Sequence, residues 1–195
     1  LEELRASGAA YRDATTGAEV QAWRRDNPGR GYRGTPLTGA AAGGAAVRLR
    51  VPDGGETSVS DAIRGEVRFE NALQDDPVIA RADGSVLYNF AVAVDDADMR
   101  ITDVIRGDDH LSNTPRQLLV FEALGEVPPR YAHLPLLHGP DGRKLSKRHG
   151  AASVQELREA GYLPAAVRNY LALLGWGAAD DETILSTDAL VHRFS

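Results

Sequence analysis

"ITDVIRGDDHLSNTPRQLLVFEALGEVPPRYAHLPLL", Ile101 to Leu137, is the stretch whose reading decides the fold. "ITDVIRG" reads as a short strand running into the acidic turn "GDDH". Thr114 is placed to cap a helix with Pro115 at its first position. Leu118 and Phe121 then share a face, and Gly125 ends the helix. "YAHLPLL" is a further strand. Strand, helix and strand in this order predict an α/β layer. In such layers ligands bind beyond the carboxyl ends of strands, which is where Arg106, Asp108, Asp109 and His110 fall. Arg106 offers a planar fork to a carboxylate. Asp108 and Asp109 suit a ribose hydroxyl or Mg²⁺, and His110 suits a base. The competing reading is an Asp-rich turn that caps the next helix.

Upstream, residues 12–46 are rich in Gly, Ala, Arg and Thr and read as a loop or loosely ordered insert. "VRLRV" and "EVRFEN" alternate apolar and polar residues as strands do, and Asp83-Gly84 predicts a hairpin between two apolar strands. In "YNFAVAVDDADM" (residues 88–99) the alternation of Tyr88, Phe90, Val92 and Val94 favours a strand, although an apolar run also suits a buried helix. Asp95, Asp96 and Asp98 together with Asp108 and Asp109 allow a metal site but lack the spacing of a calcium loop. Tyr88, an aromatic with a polar tip, suits a substrate pocket but reads by default as a packing residue, as do Trp23 and Trp176. His133 reads as a satisfied buried histidine.

Downstream lies "GPDGRKLSKRHG" (residues 139–150), a basic turn flanked by Gly and Pro. Lys144 and Lys147 are suited to neutralising phosphates, with Ser146 shaping the loop; a solvated basic turn is the alternative. Ser153 and Glu156 form a capping box for a helix that Gly161 stops. A second helix starts at Pro164, with Val167, Tyr170, Leu171 and Leu174 on one face and Gly175 closing it.

The bulk numbers agree with a globular chain. It has 195 residues, 43% apolar and 26% charged, with net charge −6. There is no cysteine, hence no disulfide or thiolate metal site, and no apolar run long enough to span a membrane. The first residue is Leu1, within a helical pattern, which predicts an internal fragment. Between Gln21 and Arg50 six arginines face one acid, whereas Asp53 to Asp109 holds fourteen acids and five arginines. Basic, acidic and basic blocks suit a polyanion beside a metal-assisted site, or merely segregated solvated faces.

Taken together, "YNFAVAVDDADM", "VIRGDDHLSNTPRQ", "YAHLPLL", "GPDGRKLSKRHG" and "GYLPAAVRNYLALLGWG" resemble the bacterial glutamyl-tRNA synthetases, class I enzymes. The resemblance is close over residues 77–177, looser to Phe194 and weaker upstream. "KLSKR" resembles the KMSKS signature of that class. The resemblance implies the second half of a Rossmann-like catalytic domain (77–150). It follows the end of the first half (1–11) and an inserted α+β acceptor-binding region (12–76), and a helical stem-contact region starts at 151–195. It also implies that residues 88–99 are helical, against the alternation. The implied reaction is ATP-dependent formation of glutamyl-adenylate, then transfer of glutamate to tRNA(Glu) in cytoplasmic protein synthesis by a monomer.

Carried over by position, Lys144 and Lys147 are catalytic. Asp109, Leu137 (through its backbone), Lys144, Ser146, Lys147 and Arg148 contact ATP. Tyr88 and Arg106 hold glutamate, and Arg24, Arg25, Arg30 and Arg33 meet tRNA phosphates. Mg²⁺ is expected with ATP, and no zinc. The HIGH-bearing half and the anticodon region are expected outside this chain, so the isolated fragment should be inactive. The rival readings are the paralogue that glutamylates a modified base of tRNA(Asp) and a non-catalytic tRNA-binding module.

Overall fold

The computed structural model describes residues 1–38, 44–138, 141–144, 153–178, 180 and 182–194. It divides into two units, Leu1–Leu136 and Leu137–Ser195. In the first, α1 (Glu2–Ala6), β1 (Ala10–Asp13) and α2 (Gly17–Asp26) precede β2 (Ala46–Leu49), β3 (Glu56–Asp61), β4 (Gly65–Glu70) and β5 (Val78–Ala80). Then follow α3 (Tyr88–Asp98), β6 (Asp103–Gly107), α4 (Thr114–Leu124) and β7 (Arg130–Leu134). One sheet has the order β1-β2-β5, all antiparallel, and the other β4-β3-β7-β6. In the four-stranded sheet, β3 and β4 form an antiparallel hairpin, whereas β7 runs parallel to both β3 and β6. Parallel neighbours cannot be joined by a tight turn, and α4 supplies the crossover between β6 and β7. The α/β expectation is met.

The core joins the two helices to the first sheet. Val47, Leu49, Ile79 and Ala80 from the strands cluster with Phe90, Ala93, Leu119, Val120 and Phe121 from α3 and α4. Residues 88–98 are helical, as the resemblance implied and the alternation did not. The residues that α3 buries or half-buries against this core, Phe90, Ala93, Val94 and Ala97, fall at i, i+3, i+4 and i+7. Tyr88 belongs to the alternating set but not to this stripe. It is 55% exposed, so its default reading as a core residue fails. Both helices end in a Schellman motif. After α4 the left-handed residue is Gly125, and Glu126 N–H donates to the Phe121 carbonyl. After α3 the same place is held by Arg100 at φ 55°, and Ile101 N–H donates to the Asp96 carbonyl.

Two further expectations are corrected. Residues 12–46 are not merely loop: β1 ends at Asp13, α2 begins with a complete capping box between Thr16 and Glu19, and Val20 and Tyr32 are buried. The Thr-x-x-Glu signal was present in the sequence, masked by the surrounding Gly and Arg content. Asp83-Gly84 does turn the chain, with Ser85 N–H donating to Asp83 Oδ1. However, its second arm makes only a single bridge, Ala80 to Val86.

Beside the apolar core lies a buried polar cluster. Arg48 Nε donates to Asp13 Oδ2 at 2.6 Å, and Arg48 Nη1 to the Asp76 carbonyl at 2.8 Å. Tyr11 Oη donates to Asp76 Oδ2 at 2.5 Å and accepts from Gly34 N–H, while Asp76 Oδ1 accepts from Val51 N–H. Burial, reinforced by the Asp76 hydrogen bond, pushes the Tyr11 phenol well above its ordinary value. For Asp13, burial acts upward, but bonds from Thr15 and Arg48 outweigh it and hold the carboxyl below its ordinary value.

In the second unit three helices follow the His138–Lys144 bridge among the described residues. Ser153 and Glu156 form the capping box of α5 (Val154–Glu159), and Gly161 turns the chain at φ 85°. Next come α6 (Pro164–Ala172), with Pro in its first turn, and α7 (Thr187–Arg193), capped by Ser186. The Asn169 amide ties the segment between them to α6, donating to the Thr183 carbonyl and accepting from Leu185 N–H.

Removing one partner of a buried ion pair strands the other charge. Asp13→Ala should therefore lower the unfolding free energy by about 3–5 kcal/mol. Glu2→Ala, which breaks an exposed pair with Arg5, should cost less than about 0.5 kcal/mol in the same denaturation series. Because Asp13 is depressed in the folded state, its contribution is complete above the unfolded carboxylate value of about 3.9. It is lost as pH falls through the lower folded value. Denaturation midpoints measured from pH 7 to pH 3 should accordingly fall less steeply for Asp13→Ala than for the parent.

Candidate active site

The register of β6 and β7 places Arg106 directly opposite His133, and residues opposed across neighbouring strands project from the same face. Arg106 Nε donates to His133 Nε2 at 3.0 Å. The crossover helix then supplies two more acceptors one turn apart, Thr114 Oγ1 and Gln117 Oε1. Both take hydrogen bonds from Arg106 Nη2 at 2.9 Å. Gln117 is steadied in turn by α3, its Nε2 donating to Asn89 Oδ1 at 3.1 Å. Beneath the guanidinium lies the Tyr131 ring, 5.4 Å from Arg106 Cζ.

All three acceptors of Arg106 are neutral. Among the described residues no carboxylate lies within ion-pair distance of it. Asp96 is near enough to feel the charge, yet burial outweighs that pull and raises its carboxyl. The Tyr131 phenol is pushed up to about 12, chiefly by burial, and its hydroxyl has no hydrogen-bond partner among the described residues. The locale is thus partly dry, holds one cation, and offers a carboxylate more than the internal acceptors do.

Below Arg106, His133 is fully buried and its Nδ1 lies 2.5 Å from Asp61 Oδ2. Burial acts to raise the Asp61 carboxyl, but hydrogen bonds from Arg64 N–H, the His133 ring, Ile63 N–H and His133 N–H hold it well below the ordinary range. His133 is therefore a satisfied buried histidine, as expected. Thr114, expected as a helix cap, is instead the first residue of α4, and its hydroxyl serves Arg106.

The acidic turn closes around Gly107. A Cβ there would lie 2.6 Å from Asp109 Oδ1 and 2.9 Å from Leu136 Cδ2, so a larger residue would have to push those two side-chain tips aside. Asp108 pairs with Arg64 of the β3–β4 turn. Tyr88, at the start of α3, approaches His110 with ring centroids 6.3 Å apart. Tyr88, Arg106 and Asp109 all belong to the first unit. In the second, Leu137 is half exposed and a bridge between His138 and Lys144 pins the base of the basic turn. Ser146, Lys147 and Arg148 lie outside the described residues.

The four arginines expected on tRNA are differently placed. Arg24 pairs with Asp75, and Arg24 and Arg30 line one groove of about 480 Å³. Arg33 donates to the carbonyls of Gln74, Asn71 and Pro52, fixing the chain around it. Arg25 is exposed on α2.

Sequence reading missed Asp61, Gln117 and Asn89 as supports of Arg106. For Gln117 a signal exists: it stands four residues before the core residue Phe121, a polar side chain on an apolar stripe. For Asp61 there is none, since its partner lies 72 residues away.

The family model for class I tRNA synthetases (E and Q), catalytic domain, matches residues 1–195. A glutamate–tRNA ligase of Phenylobacterium zucineum is 51% identical over 97% of this chain and 42% of its own length. One of Acidithiobacillus ferrooxidans is 51% identical over 100% and 43%. A solved glutamate tRNA ligase of Elizabethkingia meningosepticum, in complex with its amino acid, superposes with a TM-score of 0.81 at 29% identity. That match covers 100% of this chain and 46% of the other. The chain thus spans less than half the length of these relatives. By family-model match and sequence identity alike, it belongs to the class I tRNA synthetase (E and Q) catalytic-domain family.

Proposed function

We propose that this chain forms part of an enzyme that joins L-glutamate to tRNA(Glu) through a glutamyl-adenylate. The observation that carries the reading is the Arg106 guanidinium, surrounded by neutral acceptors in a half-buried, strand-end setting. A substrate carboxylate completes its charge, whereas a neutral amide leaves the cation poorly satisfied, which selects glutamate over glutamine. Tyr88, exposed at the start of α3, contributes to holding the same amino acid.

In the first step the α-carboxylate of glutamate attacks the α-phosphorus of ATP and pyrophosphate leaves. The protein supplies alignment and stabilises charge on the leaving group. Lys147 is the main triphosphate contact, with Lys144, Ser146 and Arg148 supporting it. Asp109 and the Leu137 backbone take the nucleoside. Among the described residues no three His, Asp or Glu side chains gather as a metal site requires. Mg²⁺ enters with the ATP substrate, whose phosphates supply most of its protein-independent ligands. In the second step the glutamyl group passes to the 3′ end of tRNA. Residues 12–76 serve as the acceptor-binding region, with Arg24, Arg25, Arg30 and Arg33 as its basic stretch, and 77–150 as the second catalytic half. Residues 151–195 begin the stem-contact region, and the two signature halves act together only in a longer protein.

The test is glutamate-dependent ATP–pyrophosphate exchange by the complete protein carrying this sequence. Lys147→Ala should depress exchange at least 100-fold, and near-normal exchange removes Lys147 from the mechanism. Arg106→Ala should raise KM for glutamate at least tenfold while leaving KM for ATP within about twofold. Glutamylation of tRNA(Asp) in place of tRNA(Glu) by the parent would instead favour the paralogue.

A further inference from the structure

Asp61 ends β3, and in the pair that it makes with His133 both side chains are sealed from solvent. Its Oδ1 accepts three backbone N–H groups, from Arg64 at 2.9 Å, Ile63 at 3.0 Å and His133 at 3.2 Å. That leaves Oδ2 to face His133 Nδ1 at 2.5 Å. An ionised carboxylate only accepts, so Nδ1 carries the ring proton. On the opposite side Arg106 Nε only donates, so His133 Nε2 must present its lone pair. One tautomer satisfies both neighbours, and the hydrogen bond at one nitrogen fixes the role of the other.

We propose that Asp61 and His133 are positioning residues for substrate recognition: Asp61 fixes the Nδ1–H tautomer of His133, which keeps an acceptor beneath Arg106 Nε and aims the guanidinium at the substrate carboxylate. This rests on the reading of Arg106 given above. The arrangement follows the logic of outer-shell carboxylates that orient a histidine toward its functional partner. A merely structural Asp–His pair would join β3 to β7 through the same Nδ1–H, with no consequence at His133 Nε2. Here the third member of the chain is the residue that meets substrate, so the tautomer has a consequence at the site.

Asp61→Asn separates the two roles. Three backbone N–H groups converge on the Oδ1 position, so the new amide must place its oxygen there and its NH₂ toward His133 Nδ1. The ring is then forced into the Nε2–H tautomer, which turns an N–H against Arg106 Nε–H. Arg106 loses its deepest anchor while the turn keeps its backbone bonds.

Two measurements test this. Nitrogen-15 chemical shifts of the His133 ring, in protein labelled at histidine, should report Nδ1–H in the parent and Nε2–H in Asp61→Asn. In the exchange assay of the complete protein, Asp61→Asn should raise KM for glutamate at least tenfold, with KM for ATP within about twofold. An Nε2–H tautomer in the parent overturns the proposal without recourse to any variant, so a misfolded Asp61→Asn does not shelter it. An unchanged KM for glutamate in a folded Asp61→Asn overturns it as well. If the parent shows no glutamate-dependent exchange, the functional reading falls, while the ring shifts still decide whether Asp61 sets the tautomer.

Discussion

The pairing of β6 with β7 is the constraint on which the site depends. Their five residue pairs run in unbroken register from Asp103 and Arg130 to Gly107 and Leu134. A slip of one residue would turn Arg106 to the opposite face from His133, because side chains alternate along a strand. The crossover helix α4 adds Thr114 and Gln117 at a spacing that suits one turn of helix. Core packing of Leu119, Val120 and Phe121 from that same helix anchors these two polar residues. Register, crossover and core therefore act on the guanidinium together.

Two arginine settings in the first unit make an instructive contrast. Arg48 meets the Asp13 carboxylate, so its charge is balanced within the protein and its role is to bind elements together. Arg106 meets an imidazole, a hydroxyl and an amide, and among the described residues no carboxylate pairs with it directly. Desolvating a cation without a counter-ion is costly. The proposed contact with a substrate carboxylate rests on this contrast.

Much of the frame is legible in the amino-acid sequence alone. The strand-end position of Arg106 and the acidic turn follow from local pattern, as do the glycine stops at Gly125 and Gly161. What escapes is either ambiguous in period or remote in sequence. The run from Tyr88 to Met99 carries both a two-residue and a 3.6-residue pattern, and only contact with the core selects the latter. The Schellman turn at Arg100 lacks the glycine that usually marks one. The capping box at Thr16 is a plain local signal, but it sits in a stretch whose Gly and Arg content is that of a loop. Asp61 has no local signal at all, because its meaning comes from a strand that arrives much later in the chain.

That last distance bears on how the protein is made. At a synthesis rate of about 5–20 residues per second, Asp61 waits roughly 4 to 14 s on the ribosome for the 72 residues that separate it from His133. The tight turn after β3 gives the carboxylate two N–H partners, Ile63 and Arg64, from its immediate neighbours. The β3–β4 hairpin can thus form early as a self-contained element, its acid already satisfied, and present a prepared edge for β7. The local partners of the Asp61 carboxylate are thus synthesised well before the strand that carries His133.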